Sequence, residues 1–352
     1  MTVAVALPTP RRRAAPPAMP ETGPLVDRFG RVHDDLRLSV TDRCNLRCTY
    51  CMPETGMTFL PPRELLTADE LVRVAAVARR LGVETVRLTG GEPLLRRELA
   101  DVVAGLRDLG YGDIALTTNG ILLARWARRL ADAGLTRVNV SCDSLRPDRF
   151  AAIRRRGTLT TVLAAMDAAE AAGLRPVKVN VVLMAGQNDD EVLDFAAFAR
   201  RTGRIVRFIE FMPLDADHRW RPERVVDGGA VLEAIDRVHP LVPVGVDGPD
   251  GGDHAPAERF RFADGQGEIG VVRSVTRPFC GDCNRLRVTA DGSVRNCLFS
   301  DDERPLVAAL RSGSDAEVEL VLRQAVWAKR AGHGLDEPGF APTRRNMSMI
   351  GG

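Results

Sequence analysis

The chain has 352 residues, 45% of them hydrophobic, so it is long enough to bury a full hydrophobic core. Its 49 Lys and Arg residues nearly balance its 47 Asp and Glu residues, and a net charge of +2 argues against bulk electrostatic binding to nucleic acid or to an anionic membrane. No segment approaches the roughly 20 apolar residues that a transmembrane helix needs, so we expect a soluble protein.

The first 24 residues are rich in Pro and Ala, and their arginines follow a short apolar run. A secretory signal has the opposite order, with its positive charge first. We therefore predict that residues 1–24 form a disordered extension and that the protein stays in the reducing cytoplasm.

Residues 35 to 238 alternate short β-rich runs with helical patterns, which is typical of repeated βα units. The predicted strands are 36–40, 85–89, 114–118, 137–141, 177–183 and 205–211. A T-x-x-E capping box at Thr67 and Glu70 predicts a helix over 67–81. Six units are too few for a closed eight-stranded barrel, so the predicted α/β fold is a partial (βα)6 TIM-like barrel over residues 25–240. A flat doubly wound sheet is the alternative.

Every second residue of these strands is polar, and period 2 places this polar set together on the inner face of the sheet. The set comprises Ser39, Thr89, Thr118, Asn139, Ser141 and Asn180, with four cations, Arg37, Arg87, Lys178 and Arg207. Because burying an unpaired charge costs several kcal/mol, these cations cannot line a dry core. We predict a wet channel or an anion-binding cavity; pairing of the cations with Asp143 or Glu210 is the alternative.

Residues 241–352 are predicted to form a smaller C-terminal region. A turn-rich loop over 247–256 precedes strands at 259–262 and 268–272, and a hairpin turns at Asp291-Gly292. Helical patterns follow at 303–311 and 315–330. The chain ends in Gly351-Gly352, and a frayed end is the ordinary expectation for such a pair.

Six of the seven cysteines fall into two groups of three, and clustered cysteines without a signal peptide favour metal ligation over disulfides. Cys44, Cys48 and Cys51 follow directly on the first strand, at the edge where βα folds place their chemistry. A purely electron-carrying [4Fe-4S] cluster uses four cysteines, so three leave one iron free to bind a substrate. Structural zinc is the alternative, although it requires a fourth ligand nearby.

This C-x-x-x-C-x-x-C spacing resembles the signature of the radical S-adenosylmethionine (SAM) superfamily. Tyr50 stands before the third cysteine, and Gly90-Gly91-Glu92-Pro93 resembles the GGEP element that holds the methionyl amine of the cofactor. Ser141 and Met212 match positions near the adenosyl group. The resemblance implies that the free iron chelates SAM, and that one electron cleaves the sulfonium bond to give a 5'-deoxyadenosyl radical.

The second group lies in Cys280-Gly-Asp-Cys283-Asn-Arg285-Leu-Arg287, with Cys297 further on. Spacing alone leaves open a zinc site completed by a distant ligand. The local sequence resembles the C-terminal cluster motif of the GTP 3',8-cyclase family, and that likeness covers the chain after residue 24. It implies a second [4Fe-4S] cluster that binds the purine of GTP and faces the first cluster across the channel.

The same resemblance assigns a substrate site and a reaction. Positions that contact or surround GTP are Arg37, Arg87, Thr118, Lys178, Arg207, Arg285 and Arg287. Arginine forks suit phosphate oxygens because they bind in a bidentate manner. The implied reaction removes the hydrogen at C3' of GTP, joins the sugar radical to C8 of guanine and reduces the resulting radical to 3',8-cyclo-7,8-dihydro-GTP for molybdenum cofactor synthesis. The catalytic residues Arg285 and Arg287 are expected near the reacting centre.

The family resemblance also implies partners, and the sequence departs from the family pattern in one place. The partners are an electron donor such as flavodoxin or ferredoxin and a downstream cyclic pyranopterin monophosphate synthase; a homodimer is left open. Thr85 stands where a basic residue is common, so one phosphate contact is expected to be missing. Arg154 to Arg156 are interpreted as a solvated surface, Cys142 as a buried free thiol, and the terminal diglycine as a match to a family tail that enters the active site.

Two other functions remain as hypotheses. A non-catalytic iron-sulfur sensor or electron carrier would need neither GGEP nor an inward cationic face. A radical SAM enzyme that modifies peptides through an auxiliary-cluster domain usually holds more cysteines than this chain offers.

Overall fold

The structure is a computed structural model that describes residues 18–244 and 256–351. The predicted extension therefore lies outside the described residues over 1–17, as do most of the predicted loop over 247–256 and the terminal Gly352. Residues 18–24 are described, and the carbonyl groups of Gly23 and Pro24 accept hydrogen bonds from Arg323 at 2.8 and 3.4 Å. The last residues of the predicted extension, Gly23 and Pro24, are thus hydrogen-bonded to the folded chain.

Six parallel strands form the centre of the sheet, at the positions the sequence predicts to within one residue. They are β1 Asp35–Ser39, β2 Thr85–Thr89, β3 Asp113–Thr118, β4 Arg137–Ser141, β5 Val177–Leu183 and β6 Ile205–Glu210. They lie side by side in chain order, each parallel to the next. A doubly wound sheet reverses its strand order at a switch point. The unbroken order confirms the partial-barrel winding instead.

Six helices of the described chain connect these strands and a seventh follows β6. They are α1 Ala68–Arg80, α2 Leu99–Asp108, α3 Leu123–Ala133, α4 Pro147–Arg154, α5 Leu159–Ala171, α6 Val192–Thr202 and α7 Gly228–Asp236. The predicted capping box at the start of α1 is present: Thr67 Oγ1 accepts the Glu70 amide at 3.1 Å, and Glu70 Oε2 accepts the Thr67 amide at 2.8 Å. This pair satisfies two backbone donors that a helix start leaves unpaired.

The C-terminal region extends the same sheet at both edges. Its strands are β7 Leu241–Pro243, β8 Glu258–Phe262, β9 Glu268–Val272, β10 Arg285–Val288, β11 Ser293–Arg295 and β12 Glu303–Pro305. Strand β10 is parallel to β1, and β9 is parallel to β6. The predicted domain boundary near residue 240 stays a prediction, since the sheet is continuous across it.

Three further helices complete the region: α8 Val307–Arg311, α9 Asp315–Trp327 and α10 Met347–Ile350. The hairpin predicted at Asp291-Gly292 is confirmed, because β10 and β11 pair antiparallel around it. The helix predicted over 303–311 is wrong in its first part. Glu303 to Pro305 pair with β11 as an edge strand, and a proline is tolerated there because it need not donate to the ladder.

The alternation of the strands separates a dry outer face from a polar inner one. Leu36, Leu38, Leu88, Val138 and Val140 are fully buried against the helices, where each leucine contributes about 1.5–3 kcal/mol of hydrophobic stabilisation. The predicted face is wrong only for Thr118, which shares the helix-facing side of β3 with Ile114 and Leu116. Thr117 takes the inward position, because it lies opposite Asn139 in the register.

Candidate active site

A cavity of about 260 Å³ opens on the inner face of the sheet, between the carboxyl ends of the strands and the loop that carries Cys280 and Cys283. Most of the predicted site residues meet here. Those lining the cavity are Arg37, Tyr50, Arg87, Ser141, Arg207, Met212, Cys280, Cys283, Arg285, Arg287 and Cys297. The predicted residues outside its lining are Cys44, Cys48, Cys51, Gly90, Gly91, Glu92, Thr118 and Lys178.

The first cysteine triad lies in the loop after β1 and is largely buried. The amide of Cys51 donates to the Cys48 carbonyl at 3.0 Å. Burial raises the pKa of all three thiols, that of Cys44 to about 12, and the neighbouring thiols raise the pKa of Cys51 further. Thiolates here repel one another and lack solvation, so a bound metal centre is the chemical partner that would hold them ionised.

Arg154 provides a positive charge beside this triad. Its side chain is 2% exposed and forms an ion pair with Asp143 at 2.8 Å, while its Nη1 donates to Cys48 Sγ at 3.5 Å. Asp143 also accepts the hydroxyl of Tyr50 at 2.9 Å. The interpretation of Arg154 as a solvated surface residue is therefore wrong, whereas Arg156, two residues on, is exposed.

The GGEP element packs directly on the cysteine loop. Gly90 has φ +151°, and a Cβ there would lie 2.5 Å from the Thr41 carbonyl oxygen; at Gly91 a Cβ would lie 2.3 Å from the Arg43 carbonyl oxygen. The amides of Gly91 and Glu92 donate to those same two carbonyl groups, each at 2.7 Å. Only glycine permits this approach, which ties the end of β2 to the loop that carries the triad.

The carboxylate of Glu92 is held by the protein itself. It accepts the Thr118 hydroxyl at 2.7 Å, the Asn119 amide at 2.8 Å and the Leu94 amide at 3.1 Å. Burial raises the pKa of Glu92 to about 7 despite these bonds. Thr118 thus stabilises the GGEP turn, and Thr117 lines the cavity in its place.

The cavity floor carries more positive than negative charge. The register places Arg287, Arg37 and Arg87 side by side on three adjacent strands, and Arg37 pairs with Asp35 at 3.0 Å. Burial favours the neutral acid, yet Arg37 and Arg87 hold the pKa of Asp35 at about 2. Burial, Arg37 and Arg285 lower the pKa of Arg287 to about 9. Such crowding of cations is relieved by a bound anion.

The acidic residues considered as partners for these cations have other roles. Asp143 pairs with Arg154, and Glu210 accepts the amides of Val275 and Thr276, both at 2.8 Å. Glu210 thereby fixes the loop that leads to Cys280. The cationic face is consequently available to a ligand at Arg87, whose Nε atom is buried without a hydrogen-bond partner among the described residues.

The second triad lines the cavity, with Cys280 and Cys283 just before β10 and Cys297 just after β11. Burial favours the neutral thiol of Cys283, but Arg285 and Lys329 lower its pKa to about 6. The Nζ atom of Lys329 lies 3.1 Å from Cys283 Sγ. Sequence reasoning missed Lys329, because nothing in the local pattern at the end of α9 distinguishes a buried lysine from a solvated one.

His333 is the residue that could turn the second triad into a zinc site, since it also lines the cavity. Its Nδ1 accepts the Leu335 amide at 2.9 Å and its Nε2 donates to the Ser274 carbonyl at 3.2 Å. Both ring nitrogens are therefore occupied. Across the described parts of the chain, no three His, Cys, Asp or Glu groups are arranged around a single metal ion. A cubane differs in needing each thiolate at a separate iron.

Comparisons with known proteins agree with this geometry. Residues 38–199 match the radical SAM superfamily, and residues 204–335 match the Molybdenum Cofactor Synthesis C family. A GTP 3',8-cyclase of Mycobacterium sp. (strain KMS) is 49% identical over 356 residues, covering 100% of both chains. One of Streptomyces coelicolor is 51% identical over 331 residues, covering 93% of this chain and 96% of that protein. The chain belongs to the GTP 3',8-cyclase family.

Membership makes the chain a radical SAM enzyme of molybdenum cofactor synthesis, with a [4Fe-4S] cluster and SAM as its cofactors. Solved structures support the fold. Native anSMEcpe with bound AdoMet has a TM-score of 0.54 at 16% identity, covering 85% of this chain and 81% of that one. Within residues 18–244 and 256–351, no helix combines the length and apolarity needed to cross a membrane.

The tail of this GTP 3',8-cyclase family member packs on the inner face of the sheet, where its Met347 lines the cavity. Arg287 Nη1 donates to the carbonyl oxygen of Gly351 at 2.7 Å. At Gly351, φ is +85° and a Cβ would lie 2.6 Å from Thr89 Oγ1 and 2.9 Å from Ser39 Cβ. A frayed end is the wrong expectation for this glycine, which the inner face of β1 and β2 holds in place.

Proposed function

We propose that the chain converts GTP into 3',8-cyclo-7,8-dihydro-GTP between two [4Fe-4S] clusters, one on each cysteine triad. The observation that carries this proposal is one cavity lined both by Tyr50 and Met212 and by Cys280, Cys283 and Cys297. Its floor is cationic. A nucleotide triphosphate placed there would meet a SAM molecule at one end and a second metal centre at the other.

At the first cluster, Cys44, Cys48 and Cys51 would ligate three irons and leave the fourth for SAM. SAM bound there would supply the radical chemistry that abstracts hydrogen from C3' of the substrate. Gly90, Gly91 and Glu92 would position the methionyl end through the turn that joins β2 to the cysteine loop. Their support is that this turn is fixed by two 2.7 Å backbone hydrogen bonds.

The adenosyl end of SAM would lie against three cavity residues, Tyr50, Ser141 and Met212. The hydrogen bond from Tyr50 to Asp143 at 2.9 Å supports this placement, because it fixes the ring next to the cysteine loop.

For the substrate, the cations of the cavity floor would hold the triphosphate. Arg37, Arg87 and Arg287 form one row across β1, β2 and β10, with Arg207 further along the sheet. Lys178 is fully buried in β5, outside the cavity lining. It would therefore add to the positive electrostatic potential of the site without contacting the substrate. Thr85 begins β2 opposite Asp35, two residues before Arg87, where a further basic residue would have added to the positive charge.

Arg285 and Arg287 would act at the reacting centre beside the second cluster. The guanidinium of Arg285 stacks on the ring of Phe279, 4.5 Å from its centroid, and its Nη2 is buried without a hydrogen-bond partner among the described residues. An oriented donor of this kind can meet a nucleobase or a developing charge on it. Cys280, Cys283 and Cys297 would leave one iron of the second cluster for the purine.

The remaining partners rest on family membership. The reaction needs a low-potential electron donor such as flavodoxin or ferredoxin, and a cyclic pyranopterin monophosphate synthase would consume its product. Membership of a family of radical SAM enzymes disfavours the sensor hypothesis. A peptide-modifying radical enzyme would share the fold, and the deciding difference is whether GTP triggers SAM cleavage.

Anaerobic reconstitution tests the proposal directly. We expect roughly eight irons per chain, from two cubanes, and formation of 5'-deoxyadenosine that depends on GTP. The matched control is Cys142→Ser, because this seventh cysteine belongs to neither triad, is fully buried and donates to the Ser144 carbonyl at 3.4 Å. It should keep the full iron content. About four irons together with bound zinc would contradict the second cluster.

A further inference from the structure

Lys329, two residues after the end of α9, is 3% exposed and makes three polar contacts. Its Nζ donates to Cys283 Sγ at 3.1 Å, to the Cys283 carbonyl at 3.2 Å and to the Arg285 carbonyl at 2.9 Å. An ammonium group has three donors, so this set uses all of them. The group is therefore fixed in position with no donor left for water or substrate.

A buried ammonium needs a compensating negative charge, since an uncompensated one costs several kcal/mol. No ion pair with a carboxylate involves Lys329 in the part of the chain that the structure describes. Two of its three acceptors are neutral carbonyl groups. The third, the sulfur of Cys283, is the one group in contact with Lys329 that can carry the negative charge.

We propose that Lys329 is a positioning residue of the second cluster. Its ammonium group binds the thiolate of Cys283, sets the reduction potential of the cluster and fixes the start of β10. The inference rests on the proposed second cluster and adds to it a residue outside the cysteine motif. Hydrogen bonds and positive charge at a ligand sulfur favour the reduced, more negative cluster. Lys329 is thus expected to make the second cluster easier to reduce.

The contact with the Arg285 carbonyl gives Lys329 a second effect. Arg285 is the first residue of β10, and its side chain stacks on Phe279 in the cavity. One ammonium group therefore connects a cluster ligand to the strand that carries both proposed catalytic arginines. Loss of Lys329 should lower turnover through the placement of that strand as well as through the cluster.

The test compares Lys329→Met, Lys329→Arg and Arg330→Met in the reconstituted full-length chain. Arg330→Met is the matched control: it removes one positive charge from the next residue, whose exposed side chain pairs with Glu337. Iron content and the potentials of both clusters are measured, the latter by electron paramagnetic resonance during a redox titration. A Cys51→Ser chain, in which the first triad is disrupted, assigns the signal of the second cluster.

In Lys329→Met we expect the second cluster to titrate at a more negative potential and the first to keep its potential. Arg330→Met should leave both unchanged, and Lys329→Arg should recover part of the shift. If Lys329→Met keeps both wild-type potentials, the proposal is overturned. Loss of four irons in Lys329→Met with recovery in Lys329→Arg supports it, whereas equal loss in both variants overturns it in favour of a packing role.

The iron content of the wild-type chain distinguishes a failure of this proposal from a failure of the two-cluster proposal. Roughly four irons in the wild type would remove the second cluster itself, whatever the variants do. Roughly eight irons with no shift in Lys329→Met would leave the two-cluster proposal standing and remove only the role of Lys329.

Discussion

The two cysteine triads lie in different electrostatic environments, and the second triad lines the cavity whereas the first lies outside its lining. In the first triad, burial raises the pKa of Cys44, Cys48 and Cys51. In the second, burial likewise raises the pKa of Cys280, whereas Arg285 and Lys329 outweigh burial and lower that of Cys283 to about 6. Cys283 is therefore a position of the second triad that the chain itself prepares to carry negative charge.

The difference follows from where each triad lies in the fold. The first is in a loop at the carboxyl end of β1, next to the buried pair of Arg154 and Asp143, whose charges largely cancel. The second joins the barrel through β10, and this strand brings the substrate-facing arginines with it. A site for a cationic sulfonium cofactor would have little net positive charge, whereas a site for an anionic nucleotide would have an excess of it.

The largest expected effect comes from removing one ligand from each triad. Cys51→Ser should abolish 5'-deoxyadenosine formation, because SAM can no longer bind a competent first cluster. Cys283→Ser should retain slow SAM cleavage under strong reductant while forming no cyclic product. The measurement is 5'-deoxyadenosine and cyclised product from the same reaction. Identical profiles for the two variants would contradict the division of labour between the triads.

Next in size are the arginines of β10. Arg285→Ala and Arg287→Ala should keep roughly eight irons and lose cyclisation, since each removes a buried cation from the cavity without removing a ligand. In Arg287→Ala the tail should also lose its anchor at the Gly351 carbonyl. Iron analysis and product assay check both variants. Undiminished turnover in either one would exclude that arginine from the reaction.

Much of this arrangement could be predicted from the sequence because it depends on local periodicity. Alternation placed Arg37, Arg87 and Arg207 on the inner face, and the strand order followed from βα repetition. The prediction of an inward face for Thr118 was wrong because alternation within one short strand assigns a face only if the register with the next strand is known. The pairing of Thr117 with Asn139 decides that register.

The missed residues depend on contacts between distant parts of the chain. Lys329 reaches Cys283 across 46 positions, and Arg154 reaches Cys48 across 106. A lysine or arginine in a charged run is ordinarily solvated, so the sequence pattern favoured the wrong environment for Arg154. Edge strand β12 was missed for a similar reason: its pairing with β11 outweighs local preference.

A smaller effect is expected on stability, and it concerns the buried ion pair of Arg154 and Asp143 beside the first triad. Arg154→Met should cost about 3–5 kcal/mol of unfolding free energy, because Asp143 is left buried and unpaired. Arg156→Met, an exposed change of the same kind, is the control. Thermal unfolding of the metal-free chains is the measurement. Equal midpoints for the two variants would contradict a buried Arg154–Asp143 pair.

The smallest effect should be confined to the second triad, through Arg31. This arginine pairs with Asp27 and donates to the carbonyl groups of Cys280, Arg330 and Ala331. Arg31→Lys keeps the charge but loses the planar fork, which should weaken the loop by about 1–3 kcal/mol.

Iron release to a chelator measures this weakening. At a loss of about 1.4 kcal/mol, the four irons of the second cluster should be released about tenfold faster, while those of the first keep their rate. Arg28→Lys, on an exposed neighbour that stacks on the same Phe29 ring, is the control. Equal acceleration at both clusters would mean that Arg31 stabilises the whole chain and not the loop of Cys280 in particular. The two triads would then not differ in the way that this arginine supports them.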